Sequence, residues 1–219
     1  DGGYTVNDGN GGGNYTVTTQ TASGVIDKAA LTLAAATDSK TYDATTASTG
    51  AVGVTGLQGS DTVTGATQSF DSRNAGVRTL LVNGGYTVND GNGGGNYTVT
   101  TQTASGAIDK AALTLSASSD SKTYDATTAS TGAVGVSGLL GSDTVTGVAQ
   151  AFDSKNAGAR TLSVDAYTIN DGNGGGNYAV TTQTASGAIA KAPLILTAAT
   201  DSKTYDATTT STGTVGVTG

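Results

Sequence analysis

Along the stretch from Ala30 to Lys110, apolar and polar residues alternate in short bursts separated by turn residues. Leu31-Thr32-Leu33 opens the series with the period-2 signature of a half-buried strand. Asp38 to Thr46 (DSKTYDATT) reads as a polar turn, its aspartates able to accept nearby backbone amides. Ala51 to Val54 is the next short strand and Gly59-Ser60 a turn. Thr62-Val63-Thr64 starts another strand that continues through Gln68-Ser69-Phe70, with Gly65 marking a bulge or bend. Asp71 to Gly76 is a turn with Asn and Gly available for positive φ. Val77 to Val82 and Tyr86-Thr87-Val88 are strands, Asn89 to Asn96 is a glycine-rich loop, and Tyr97 to Thr100 resumes the sheet. No 3.6-residue apolar rhythm occurs, while β-branched residues and glycines abound. The expected class is all-β, with roughly seven short strands per unit in a small sandwich or barrel-like sheet.

The same order of elements comes back along the chain. DSKTYDATT carries its tyrosine at Tyr42, Tyr124 and Tyr205, spacings of 124 − 42 = 82 and 205 − 124 = 81 residues. NDGNGGGNY ends at Tyr15, Tyr97 and Tyr178 with the same spacings. The one-residue difference falls where LLVNGGYT (80–87) becomes LSVDAYT (162–168), most simply a glycine lost from a loop. With Tyr4, Tyr86 and Tyr167, all nine tyrosines fall into three columns. The period divides the chain into the C-terminal part of a module (1–28), complete modules at 29–110 and 111–191, and the N-terminal part of another (192–219). The absence of Met, and ends that fall inside modules, lead to the expectation of a piece cut from a longer array.

A solenoid is the rival architecture, but its coils repeat every ~20–30 residues and no such shorter period is present here. The expected architecture is an elongated tandem array of small β-sandwich-like modules, each spanning 110 − 28 = 82 residues in the first complete copy. Ala107 to Leu115 crosses the module border with no turn signal and no glycine, and its third copy carries the only proline, Pro193. A continuous extended border would hold successive modules at a fixed angle.

Composition narrows the chemistry. Without cysteine there are neither disulfides nor thiolate metal sites, so sheet hydrogen bonds and a small core must supply the stability. A net charge of −7 with no basic cluster argues against nucleic acid or an anionic membrane as partners. No apolar run approaches the ~20 residues of a membrane helix, so no membrane contact is expected within this stretch. His, Cys and Glu are all absent, which removes the usual general bases and nucleophile partners. Pairs such as Asp38 with Asp43 recur in every module inside a turn motif, and turn residues explain that better than triplicate active sites. The chain is therefore expected to be non-enzymatic, with no catalytic residue, cofactor or metal assigned. In NDGNGGGN, Asp90 and Asn92 have the alternate oxygen spacing of a calcium loop, but the closing Glu is missing. A glycine-rich strand connection is the preferred reading.

Tyr42 admits two readings. An exposed ring in every module would form a ladder of sticky sites; alternatively Tyr42 packs over the module border with its hydroxyl satisfied, while Lys40 and Asp43 pair at the surface. Tyrosine suits such a seam because one end is apolar and the other polar, and the seam is preferred. Arg78 and Arg160, beside the Asn-Ala-Gly turn, are expected to pair with an aspartate of their own module. A Lys–Asn isopeptide cross-link lacks its usual Glu. The sequon at Asn14 and Asn96 is lost at Asn177 and reads as chance.

KTYDATT (40–46), DSRNAG (71–76), GNYTVT (95–100) and DKAALT (109–114), in that order, resemble the YDG/MBG-type repeats of large bacterial surface proteins, including filamentous-haemagglutinin-like adhesins. In those repeats the first motif usually reads K-x-Y-D-G-T-T; here Ala44, Ala126 and Ala207 replace the glycine. The resemblance implies export and an extracellular or bacterial cell-surface role, with no particular ligand. The expected function is a rigid stalk or spacer whose partners are neighbouring modules of the same chain. The alternative is a self-associating repeat of an extracellular filament or biofilm-matrix fibre, since Val/Thr edge strands with few lysines support pairing between copies.

Overall fold

The computed structural model describes residues 3–219, and every regular element among them is a strand. The first complete module has nine: β1 (Ala29–Ala34), β2 (Asp38–Thr41), β3 (Gly53–Thr55), β4 (Thr62–Thr64), β5 (Gln68–Phe70), β6 (Gly76–Val82), β7 (Thr87–Asn89), β8 (Tyr97–Gln102) and β9 (Ala104–Asp109). The second repeats the plan with β10 (Ala111–Ser116), β11 (Asp120–Thr123), β12 (Gly135–Ser137), β13 (Thr144–Phe152), β14 (Gly158–Asn170), β15 (Tyr178–Gln183) and β16 (Ala185–Ala190). β17 (Ile195–Thr197) and β18 (Gly216–Thr218) begin a third. The chain is an all-β tandem array.

The first complete module carries a separate β4-β7 pair, and both complete modules build the same two larger sheets. One has the order β3-β1-β8 in the first module and β12-β10-β15 in the second; the other has β2-β9-β6-β5 and β11-β16-β14-β13. β1 runs parallel to β8, in register from Ala29↔Tyr97 to Ala34↔Gln102, and β2 runs parallel to β9 from Asp38↔Gly106 to Thr41↔Asp109. The remaining pairs are antiparallel. A module thus closes by laying its first two strands beside its last two. The chain between them provides the long crossover that parallel pairing needs.

The alternation in β1 translates directly into burial: Leu31 and Leu33 are fully buried and Thr32 is not. Full burial of each leucine contributes about 1.5–3 kcal/mol. Leu31 packs with Val88 and Tyr97 in one cluster. Phe70, Leu80 and Ile108 form another, which continues through Tyr42 into Ala111, Leu113 and Tyr178 of the next module. A single apolar core therefore crosses the border at Lys110, the one residue between β9 and β10.

Several local expectations need correction. Asp38 to Thr41 is a strand rather than part of a turn, because its backbone is held by β9; a polar edge strand leaves no apolar alternation to read. The strand expected at 51–54 lies at Gly53–Thr55. At Gly65 (φ 71) the chain bends as expected, but the strand does not continue through it: the first module breaks into β4 and β5, whereas β13 runs unbroken with register shifts between Thr146 and Gln150. The border is extended on both sides of Lys110, but β9 and β10 belong to different sheets.

Candidate functional site at the module seam

The seam begins with a tied turn. Asp43 accepts the backbone amide and the hydroxyl of Thr45 at 2.9 and 2.8 Å, and Lys40 Nζ bridges Asp43 and the Thr45 carbonyl at 2.7 and 2.8 Å. Burial works against the Asp43 carboxylate, yet the bonds from Lys40 and Thr45 together hold it below the ordinary aspartate range. In the second module the matching Asp125 is held down to about 2, first by Lys122 and then by the Thr127 amide and hydroxyl. The turn drives Ala44, Ala126 and Ala207 to φ of 65, 65 and 60°, the left-handed region that favours glycine. That is the physical reason the related motif usually carries glycine there. Two residues before Ala44, Tyr42 packs with both modules.

Tyr42 is 2% exposed and donates its hydroxyl to Asp143 Oδ2 of the second module at 2.8 Å. Tyr178 donates to the same oxygen, also at 2.8 Å, and accepts the Leu140 amide at 2.9 Å. The two rings meet edge to face, centroids 5.5 Å apart at 76°, an arrangement aromatic quadrupoles favour. Arg73 of the first module reaches over the border, 3.8 Å from Asp143 Oδ1, and donates to the Asp171 carbonyl at 3.1 Å. The Ala75 amide donates to Oδ1 of Asn177, which is fully buried. The Ala44 methyl sits against Gly141, where an added Cβ would come within 2.7 Å of it. Burial, and then the bond to Asp143, raise the Tyr42 phenol above its ordinary value and push Tyr178 up to about 12.

Two stretches of the chain, 27–104 and 109–185, match the YDG domain family. The chain belongs to that family. No curated protein and no solved structure matches it. The seam thus joins two YDG domains arranged in tandem.

Within each YDG domain, the NDGNGGGN loop is closed by its own aspartate. Asp171 accepts the amides of Asn173, Gly175 and Asn177 at 2.8, 2.8 and 3.0 Å, and Asp90 repeats this with Asn92, Gly94 and Asn96. These carboxylates are turned onto backbone amides and rest below the usual range. The loop therefore works as a strand connection that presents Asn177 to the seam. Among the described residues no group of three or more His, Cys, Asp or Glu side chains comes together.

Among the described residues Arg78 and Arg160 do not pair with aspartates. They donate instead to carbonyls of the adjacent Asn-Ala-Gly turn, those of Ala75 and Ala157, at 3.2 and 3.1 Å. Lys40 and Asp43 do pair, at 2.7 Å. Sequence reasoning placed Tyr42 at the border but missed Asp143, Arg73 and Asn177. The only signal for Asp143 was its recurrence at Asp61, since the residue it serves lies 101 positions away.

Proposed function

We propose that this chain is a non-catalytic structural region in which each YDG domain docks on the next, forming a rigid stalk or spacer of a secreted bacterial surface protein. The observation that carries this reading is Tyr42: its ring is buried at the border, edge-on to Tyr178 of the following domain, and its hydroxyl is bonded to Asp143. A hydrogen bond to a charged acceptor contributes ~1.5–3 kcal/mol, and burial of the ring adds to it. At ~1.4 kcal/mol per factor of ten, even the lower figure favours the docked pose about tenfold. Lys110 alone separates β9 from β10, which leaves little slack for a hinge. The non-catalytic reading is supported by aspartates committed to backbone amides, hydroxyls and lysines. Export and surface location rest on the resemblance of the motifs to repeats of large bacterial surface proteins.

Small-angle scattering combined with light scattering, on the chain across a concentration series, tests the reading. A monomer whose dimensions stay constant with concentration, with domains at a fixed spacing, supports the stalk. Growth into bundles or fibres transfers the function to the alternative, self-associating reading.

A further inference from the structure

We propose that each YDG domain is a load-bearing unit: a shear clamp that resists tension applied along the chain. The inference deepens the stalk reading and rests on it for its purpose, since a stalk is loaded end to end. Its mechanics stand on topology alone.

Tension enters the first domain at the N-terminal end of β1 and leaves at the C-terminal end of β9. Those ends are not joined to remote regions of the sheets. β1 lies parallel to β8 over six paired positions, and β2 lies parallel to β9 over four. Parallel partners pulled from opposite ends must slide past each other, so every bond between them is loaded at once. Partners pulled from the same end unzip, losing their bonds in sequence. Each backbone bond is weak alone, and the direction of pulling decides whether they act together.

The ladders extend past the strand ends. Ala29 and Ala35 amides donate to the Asn96 and Gln102 carbonyls at 2.9 Å each, and the Tyr42 amide donates to Asp109 at 2.8 Å. The second domain repeats all three, from Ala111, Ala117 and Tyr124 to Asn177, Gln183 and Ala190, at 3.0, 2.9 and 2.8 Å. Sliding β1 by one residue would also turn the fully buried Leu31 and Leu33 toward the opposite face. Between the two domains, Lys110 leaves almost no free chain to absorb extension before the clamps are engaged.

Single-molecule pulling on the full chain tests this by changing direction within one domain. Handles on exposed Lys28 and Lys110 (Lys28→Cys with Lys110→Cys) load the first domain in shear. Handles on Lys28 and Thr98 (Lys28→Cys with Thr98→Cys) pull β1 and β8 from the same end, since Ala30 pairs with Thr98. The rupture force is expected to be several-fold higher for the first pair. Equal forces, or a lower force for the first pair, overturn the clamp. If either variant melts abnormally, the second domain provides the same contrast with Lys110→Cys and Lys191→Cys against Lys110→Cys and Ala179→Cys. A high force ratio in a chain that scattering shows to bundle keeps the clamp and removes the stalk. A ratio near one in a rod-like monomer does the opposite.

Discussion

The turn sequence DSKTYDATT stands unchanged in both complete domains, and its local structure is the same in both. Lys40 pairs with Asp43 and Lys122 with Asp125, at 2.7 and 2.9 Å, and both alanines sit at φ 65°. The tyrosines nevertheless differ: Tyr42, followed by a whole domain, is 2% exposed, while Tyr124, followed by only the beginning of another, is 39% exposed. The receiving side differs in the same way. Asp143 accepts two tyrosine hydroxyls, whereas among the described residues Asp61 accepts only that of Tyr97, at 2.6 Å. Short-range sequence therefore dictates the turn, and the neighbouring domain dictates what the turn does. Stability in this array is stored partly in the border, not only inside each repeat.

Substitutions at matched positions break or sharpen that contrast. The largest effect is expected from Tyr42→Ala, which should cost about 3–4 kcal/mol in denaturant unfolding, with Tyr124→Ala under ~1 kcal/mol. Equal losses would mean that the seam contributes nothing. Next comes Asp143→Ala, which strips the acceptor from two buried hydroxyls and should cost about 2–3 kcal/mol, against ~1 kcal/mol for Asp61→Ala by the same measurement.

Alkali provides a third contrast without mutation. The folded Tyr178 phenol, near 12, lies above its free value of 10.0. Its contribution is therefore complete below pH 10 and disappears as pH rises through 12. The loss is on the order of 2 kcal/mol, with tyrosinate absorbance and unfolding midpoint moving together. Ionisation that leaves the midpoint unchanged would show that the tyrosine is not buried against Asp143. The smallest effect is a gain. Ala126→Gly relieves a left-handed alanine and should stabilise by up to ~1 kcal/mol. Ala44→Gly should gain less, because it gives up the methyl packed on Gly141.

Much of the fold could be read from the chain because its signals are local or periodic. The Leu31-Thr32-Leu33 alternation, the tyrosine columns and the glycine loops each announce themselves within a few residues or by recurrence. DSKT did not, since a polar edge strand is defined by the ladder from β9, whose residues lie far along the chain. The loss of one glycine near 83–85 was visible as an indel. Its consequence was not: Asp165 and Ala166 carry β14 through from Gly158 to Asn170, where the first domain is split into β6 and β7. For the seam, tyrosine chemistry pointed to the border. Nothing in the spacing identified Asp143 as the acceptor, and Arg73 looked like one more turn residue.

The seam implies that a YDG domain is held partly by the one that follows it. Hydrogen exchange of the intact chain with Asp143→Ala tests it most directly, because the substitution lies in the second domain and the readout in the first. Ile108, in the last strand of the first domain, shares the cluster that Tyr42 extends to Tyr178. Its amide should exchange on the order of ten to a hundred times faster in the variant, the equivalent of ~1.4–2.8 kcal/mol. Exchange at Ile108 that is unchanged while the second domain is weakened would mean that the domains are independent beads and that the seam does not hold the first.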